Sequence, residues 1–406
     1  MRRQGLAGWL HNDVTHRGVT AWLVSGALIS FYLILYFQQT FDQGRRLDLL
    51  AQRIFAFLPE SYEPTRWTLY GGLYSLAIVS GGLWMLWKYR HNRYQVIRTL
   101  VVMFVQVSFG FSVPILLKIM GQPEYYFTYF WPLKFDYFLP QTIINQPLPF
   151  VLYSFLGSLV LVPVMTLLYG KRWYCSWVCG CGGLANTFGE PWRHLSQKSQ
   201  AAWNFEKVSI HTVVALSLVV TSFWALGHFA ESEVRLACGL GSLWGAAAPA
   251  ECVESLPPGS LGAWYYGTAL YGVMDFCRRY YGIIVLSVLS GVVGTGLYPL
   301  GGTRLWCRYF CPMAGFLGMI QKLGRFRIRV KKEMCISCGL CTEYCEMGID
   351  VRAYAQAGRS FTRASCVGCG LCAEVCPRGV LRLENEWKRD PSELTMSSFL
   401  DQSWKY

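Results

Sequence analysis

Six stretches of this 406-residue chain carry no Asp, Glu, Lys or Arg: residues 19–37, 67–87, 99–117, 148–169, 208–228 and 281–300. As helices they suffice to cross a hydrocarbon core about 30 Å thick, which takes about 20 apolar residues. A backbone in lipid finds no water to bond, so such stretches are confined to helices that satisfy their own amides. Buried helices of soluble proteins rarely run so far without a charge. Charged residues are only 15% of the chain, against about 25% in an ordinary soluble domain. The expected fold is an all-α polytopic membrane protein of six transmembrane helices. Arg2 and Arg3 lead into a polar stretch with His11, Asp13, His16 and Arg17, and no A-x-A-like cleavage site follows the first span. That span therefore reads as retained, not as a signal peptide.

Charge gives the expected sidedness. With both termini on one side, the loops 1–18, 88–98, 170–207 and 301–406 hold 28 Lys and Arg against 13 acids, and the opposite loops hold 9 against 11. By the positive-inside rule the first set is cytoplasmic, in a bacterial cytoplasmic (inner) membrane. Both termini then lie inside, next to anionic lipid head groups. Because the basic charge is spread over membrane-flanking loops, a nucleic-acid partner is not expected. The run Arg325, Arg327, Arg329, Lys331 and Lys332 reads as a linker held at the membrane surface.

Two cysteine runs near the C-terminus carry the chemistry. Cys335, Cys338, Cys341 and Cys345 form one, and Cys366, Cys369, Cys372 and Cys376 the other, each spaced C-x₂-C-x₂-C-x₃-C, with Pro377 after the second. This is the ligand pattern of a bacterial two-cluster ferredoxin, in which the fourth cysteine of each run serves the other cluster. The expected [4Fe–4S] ligand sets are Cys335, Cys338, Cys341 with Cys376, and Cys366, Cys369, Cys372 with Cys345. Gly339, Gly368 and Gly370 let the backbone wrap closely. A zinc site or a disulfide framework fits doubled runs of this spacing poorly. A small α+β ferredoxin domain, 325–384, is thus expected inside, followed by a C-terminal arm, 385–406.

An internal repeat is the other strong signal. Residues 171–183 read KRWYCSWVCGCGG and residues 303–315 read TRLWCRYFCPMAG. Arg172/Arg304, Cys175/Cys307, Cys179/Cys311 and Gly183/Gly315 match, and each copy directly follows a span. Parallel repeats imply a pseudo-two-fold axis along the membrane normal. The chain divides into an N-terminal two-helix membrane segment, 1–98, and a four-helix membrane domain with the duplicated motif, 99–324. Cysteines at i and i+4 share one face of a helix, so two such faces would bring Cys175, Cys179, Cys307 and Cys311 together at the inner membrane face. Four thiols suit a third iron–sulfur centre, with zinc the weaker option. The competing reading is that these small thiols only pack a helix end, or serve cluster loading or a transient disulfide. Cys181 has Met313 as its counterpart and is a doubtful ligand.

Other features are less directive. Residues 125–138, YYFTYFWPLKFDYF, hold nine aromatics in fourteen positions. They read as a segment lying on the outer leaflet, or else as a docking surface or part of a quinone pocket. Quinone binding leaves no dependable sequence mark; Asp136, Lys134, Gln106 and Asp275 are polar groups where a headgroup could sit. Cys238 and Cys252 share an outer loop in an oxidising compartment, where a disulfide is one reading and buried thiols the other. His211 and His228 flank the fifth span, but no other span offers histidines for b-haems, and no C-x-x-C-H is present for c-type haem.

A membrane domain with paired C-x₃-C motifs, followed by a two-cluster ferredoxin, resembles the NosR/NapH-type membrane polyferredoxins, 4Fe–4S-binding membrane proteins. The matching residues are WCRYFCP at 306–312, the doubled cysteine runs, and CEMGID at 345–350, where that family usually has CPMGID. Gly180 stands where the family has proline, as does Glu346; neither change removes a ligand. The resemblance implies electron transfer between the quinone pool or a cytoplasmic donor and a partner across the membrane. It implies other subunits of a membrane redox complex, including a flavin- or haem-bearing periplasmic partner. FMN would sit only on a partner chain, since no outer loop here is long enough for a flavin domain. Three functions compete: a redox subunit, an assembly or maturation factor supplying electrons to a metalloenzyme, and a redox-driven ion-translocating module. The absence of acids from all six stretches weighs against the last. Any enzyme activity would be quinol chemistry within a complex.

Overall fold

The computed structural model describes residues 5–41, 45–134, 146–238, 253–257, 259–268, 270–331 and 333–386. Among them, six helices are long and apolar enough to cross a membrane: α1 (Val19–Tyr36), α2 (Arg66–Lys88), α3 (Arg93–Ile119), α4 (Leu148–Tyr169), α5 (Gln200–Ala237) and α6 (Tyr271–Thr295). Each contains or largely overlaps one of the charge-free stretches. Asn92 caps α3, its Oδ1 accepting from the Gln95 amide at 3.1 Å. This satisfies one of the orphan amides that every helix start exposes. A π-helical turn at Ser108–Ser112 interrupts α3 just before Pro114, and a second at Gly157–Leu161 interrupts α4 just before Pro163. Proline cannot donate to the helical ladder, and the widened turns take up the fault. α2 packs on α3, α1 on α6, and both α4 and α5 on a shorter helix, α7 (Pro312–Gln321).

The basic run before the ferredoxin cysteines is a strand and not a surface linker. Phe326–Val330 forms β1, paired antiparallel with β2 (Leu381–Asn385) from Phe326↔Asn385 to Val330↔Leu381. Alternation explains the difference: Phe326, Ile328 and Val330 are buried, so the period-2 pattern turns Arg327 and Arg329 to the opposite face. There Arg329 meets Glu384 at 2.7 Å. Short helices at Leu340–Glu343, Val351–Gln356 and Leu371–Glu374 complete this small α+β unit. It docks without slack: the Arg325 amide donates to Leu167 O at the end of α4 (2.8 Å).

The aromatic segment does not lie flat as an interfacial strip. Over its described part, Tyr125 and Phe130 are buried, and Tyr125 stacks on Phe150 of α4. The carbonyl of Thr128 accepts from Tyr174 OH at 2.8 Å. Tyr174 precedes Cys175, so the connection between α3 and α4 folds back into the bundle as far as the first C-x₃-C motif. Asp136, Cys252, with it the Cys238–Cys252 pairing, and the tail 387–406 lie outside the described residues.

Candidate metal centres

Positive-φ glycines shape the ferredoxin loops: Gly339 (φ 82°), Gly368 (59°) and Gly370 (78°). A side chain there would be strained by its own carbonyl. The loops surround two hollows. One is lined by Cys335, Cys338, Cys341 and Cys376, the other by Cys345, Cys366, Cys369 and Cys372. The crossover sets are thus brought together, each fourth cysteine joining the opposite run. Among the described residues, no three of His, Cys, Asp and Glu are gathered as a single ion requires, the arrangement a zinc site would need.

The two hollows differ in setting. Around the outer one, Cys338, Ile336 and Met334 are exposed. The inner one faces the membrane helices, and four consecutive carbonyls of its ligand loop are held by them. Cys366 O accepts from Gln321 Nε2 (3.0 Å), Val367 O from Ser176 Oγ (2.7 Å) and Gly368 O from Tyr94 OH (2.9 Å). Cys369 O accepts from both Gln95 Nε2 (2.9 Å) and Arg98 Nη1 (2.8 Å). Burial pushes the Cys366 thiol up to about 11 and the Cys369 thiol up to about 12. Thiolates in such a place need metal cations in exchange for their protons.

Cys175, Cys179, Cys307 and Cys311 are all buried in one continuous core and lie within electrostatic reach of one another. The two copies of the motif do converge, but not on paired helix faces. Cys175 ends a short helix, Arg172–Cys175, and Cys179 is the extended N-cap of the next, Gly180–Asn186. Cys307 lies on a π-helical turn, Trp306–Phe310, and Cys311 is the extended N-cap of α7, its Sγ accepting from the Ala314 amide at 3.4 Å. Pro312 forces that break, because the residue before a proline is driven out of the helical region. Both second cysteines therefore sit at positive ends of helices, where a thiolate is favoured. Gly183 is packed against Ile78 and Gln106, near the middles of α2 and α3.

Cations crowd these thiols. Lys171, Arg98, Arg193 and Arg304 are each at most 1% exposed. Arg304 Nη1 lies 3.8 Å from Cys307 Sγ and 3.3 Å from Cys175 O. Nε and Nη2 of Arg98 and all three guanidinium nitrogens of Arg193 are buried without a hydrogen-bond partner, and both side chains face Cys369 electrostatically. Buried unsatisfied cations are expensive. Besides the one carboxylate that Arg193 and Arg304 share, Glu346, an anionic thiolate-bound cluster at the inner ferredoxin set and at the C-x₃-C set is the counter-charge they fit. Sequence reasoning noted Arg304 only as a position the two repeat copies share and did not read the burial of these cations, whose partners are remote in the chain.

Cys181 stands apart from the four. Its thiol donates to Cys179, which holds Cys179 down and Cys181 up, and it lines a large cavity among the spans, about 1920 Å³ with its mouth included. Tyr70, Tyr74, Tyr129 and Gln106 line the same space, which runs from Cys181 to Lys118 and Glu124 at the opposite ends of the helices. Tyr74 OH lies 2.9 Å from both Gly180 O and Gln106 Oε1. Of the polar groups considered for a headgroup, Gln106 and Lys134 line this cavity; Asp275 is not among its lining residues.

Comparison with known proteins agrees with this chemistry. A 4Fe–4S dicluster domain matches residues 328–383. A 4Fe–4S binding domain matches twice, at 151–199 and 281–331, so both copies of the internal repeat fit one pattern. A protein of Escherichia coli K12 named "Putative electron transport protein YccM" is 25% identical over 219 residues, 52% of this chain and 52% of that protein. Uncharacterized protein MJ0750 of Methanocaldococcus jannaschii is 25% identical over 203 residues, 48% of this chain and 67% of that protein. The chain's match thus spans about half the length of the first. No solved structure matches the chain. These matches show a chain that carries 4Fe–4S binding domains in both the repeat and the C-terminal unit.

Proposed function

We propose that this chain is the membrane-bound electron-transfer subunit of a redox complex, of the NosR/NapH type. It would hold [4Fe–4S] clusters at the two ferredoxin thiol sets and a third at Cys175, Cys179, Cys307 and Cys311. Bound there, such clusters supply one-electron chemistry at potentials set by their surroundings. The observation that carries the reading is the contact between sites. Ser176, next to Cys175, donates to Val367 O beside Cys366, while Gly180 and Cys181 of the same motif wall the tyrosine-lined cavity. Three thiol sets therefore run from an exposed surface to the interior of the bundle, ending beside a space that fits a quinone. The excess of Lys and Arg in its loops supports a cytoplasmic exposed end, by the positive-inside rule. The opposite end, with a flavin- or haem-bearing partner, would lie in the periplasm.

The test is iron and acid-labile sulfide per chain after anaerobic purification in detergent, followed by reduction with a short-chain quinol under electron paramagnetic resonance. About twelve irons, at four per cluster, and quinol-driven signals are expected. About eight irons would return the C-x₃-C cysteines to a packing role. Full iron without any response to quinol would remove the quinone from the reading and favour an assembly factor fed by a soluble donor.

A further inference from the structure

Between the inner ferredoxin site and the C-x₃-C site lies an enclosed carboxylate, Glu346. Glu346 is 0% exposed, follows the ligand Cys345, and stands where the resembling family has proline. Its Oε1 accepts from Arg304 Nη2 at 3.0 Å, and Arg193 Nη2 is 3.7 Å from Oε2. Arg304 continues the line to the other site through Cys307 Sγ and Cys175 O. Its position is fixed by Asn186 Oδ1 at 3.1 Å, and the Glu346 carbonyl is held by Ser196 Oγ. An unbroken polar bridge thus joins Cys345 to Cys307: Glu346, then Arg304. A fully buried carboxylate is not needed to fill this space, since a proline or an apolar residue would do so without desolvating a charge. What the carboxylate does is offset guanidinium charge at the point where both thiol sets feel it.

We propose that the Glu346–Arg304 bridge sets the reduction potentials of the inner ferredoxin site and the C-x₃-C site relative to the outer one. This rests on the reading that these sites hold clusters. Charges in a desolvated interior act with little screening, and donors to cluster sulfur raise a potential. Glu346 opposes electron uptake directly and by neutralising Arg304. The outer set of Cys335, Cys338, Cys341 and Cys376 has none of these groups in its lining, so the bridge separates the potentials of inner and outer sites.

The experiment is a redox titration of the purified full chain, followed by electron paramagnetic resonance, for wild type and Glu346→Gln. The glutamine keeps the shape and loses the charge. Both the inner ferredoxin signal and the C-x₃-C signal should move to higher potential, by at least tenfold in the reduction equilibrium, which is about 59 mV for a one-electron couple. The outer signal should stay in place. Unmoved potentials with full iron, or an equal shift of all three signals, would overturn the proposal. If the single variant loses iron, Glu346→Gln with Arg193→Gln removes one charge of each sign. That pair should regain iron with potentials near wild type, and its failure to do so also overturns the bridge. A wild type lacking iron at the C-x₃-C site would defeat the three-site reading separately, leaving the inner-site shift to decide this one.

Discussion

Gly182→Ala isolates the C-x₃-C site from the ferredoxin sites. A Cβ on residue 182 would lie 2.0 Å from Cys175 O and 2.9 Å from Cys175 C, where real Cβ contacts essentially never fall below 3.0 Å. About 1 Å must therefore be made up by backbone on both sides, and that backbone is the motif itself. Metal–ligand distances tolerate only about 0.2 Å, so the four thiols can no longer meet their cluster. The strain, about 1–3 kcal/mol as for other overpacked interiors, need not unfold the bundle, and if Ser176 shifts the inner ferredoxin loop keeps its hydrogen bonds from Gln321, Tyr94, Gln95 and Arg98. Iron should fall from about twelve per chain to about eight, at four per cluster, with labile sulfide in parallel and one resonance signal gone. Gly26→Ala on α1 meets no atom within 4 Å and should keep every iron. Full iron in Gly182→Ala would refute the reasoning outright. Loss of all iron would refute its other half, that the ferredoxin sites survive a shift of this turn.

Cys175→Ser with Cys307→Ser should also leave about eight irons, whereas Cys181→Ser should leave iron unchanged; a loss on Cys181→Ser, measured by the same assay, would make it a ligand. Glu206→Gln strips the shared partner from Arg308, whose Nε is 2.6 Å away, and from Arg363 at 3.4 Å. Breaking a buried pair costs about 3–5 kcal/mol, so the melting temperature should drop and the ferredoxin unit become protease-sensitive; an unchanged melt would show the pair to be dispensable. Tyr74→Phe deletes the hydroxyl that joins Gly180 O and Gln106 within the cavity. One hydrogen bond is worth about 1 kcal/mol, so the KM for a short-chain quinol should rise roughly fivefold at constant kcat, and no change would count against a quinone in this cavity.

Lipid made the spans legible, because it leaves an uncharged stretch one conformation only. The same rule is silent about polar flanks, and so α5 begins at Gln200, well before the charge-free residues start. The grouping of each fourth cysteine with the opposite run was equally legible, because the doubled spacing is the ligand pattern of a two-cluster ferredoxin. Pro312 was in plain view, and its effect on the residue before it would have broken the supposed helix between Cys307 and Cys311. FRIRV alternates visibly, but the five basic residues within and beside it outweighed the period-2 signal. Glu346 could not be read at all. Its burial depends on Arg304, 42 residues away, and Arg193, 153 residues away, and no local pattern records such a meeting. Of the readings of the aromatic segment, the leaflet strip failed and the pocket wall fits, since Tyr126, Thr128 and Tyr129 line the cavity; composition states only that rings avoid water, and a bundle interior satisfies that as well as a lipid surface.

The docking of the ferredoxin loop carries its own argument about motion. A domain that shuttles electrons on a tether must complete its backbone hydrogen bonds internally, or leave them to water at each excursion. Here the carbonyls of residues 366 to 369 are all taken by Gln321, Ser176, Tyr94, Gln95 and Arg98. Those donors come from α3, α7 and the first C-x₃-C segment. Undocking would orphan five hydrogen bonds at once, two of them on Cys369, and leave Arg98 buried with no partner. The inner thiol set is thus as much a part of the membrane bundle as of the ferredoxin fold. Its separation from the C-x₃-C site is fixed by the same side chains that support both. Among the described residues, the outer set, with Cys338 and Ile336 exposed, is the one that reaches the protein surface.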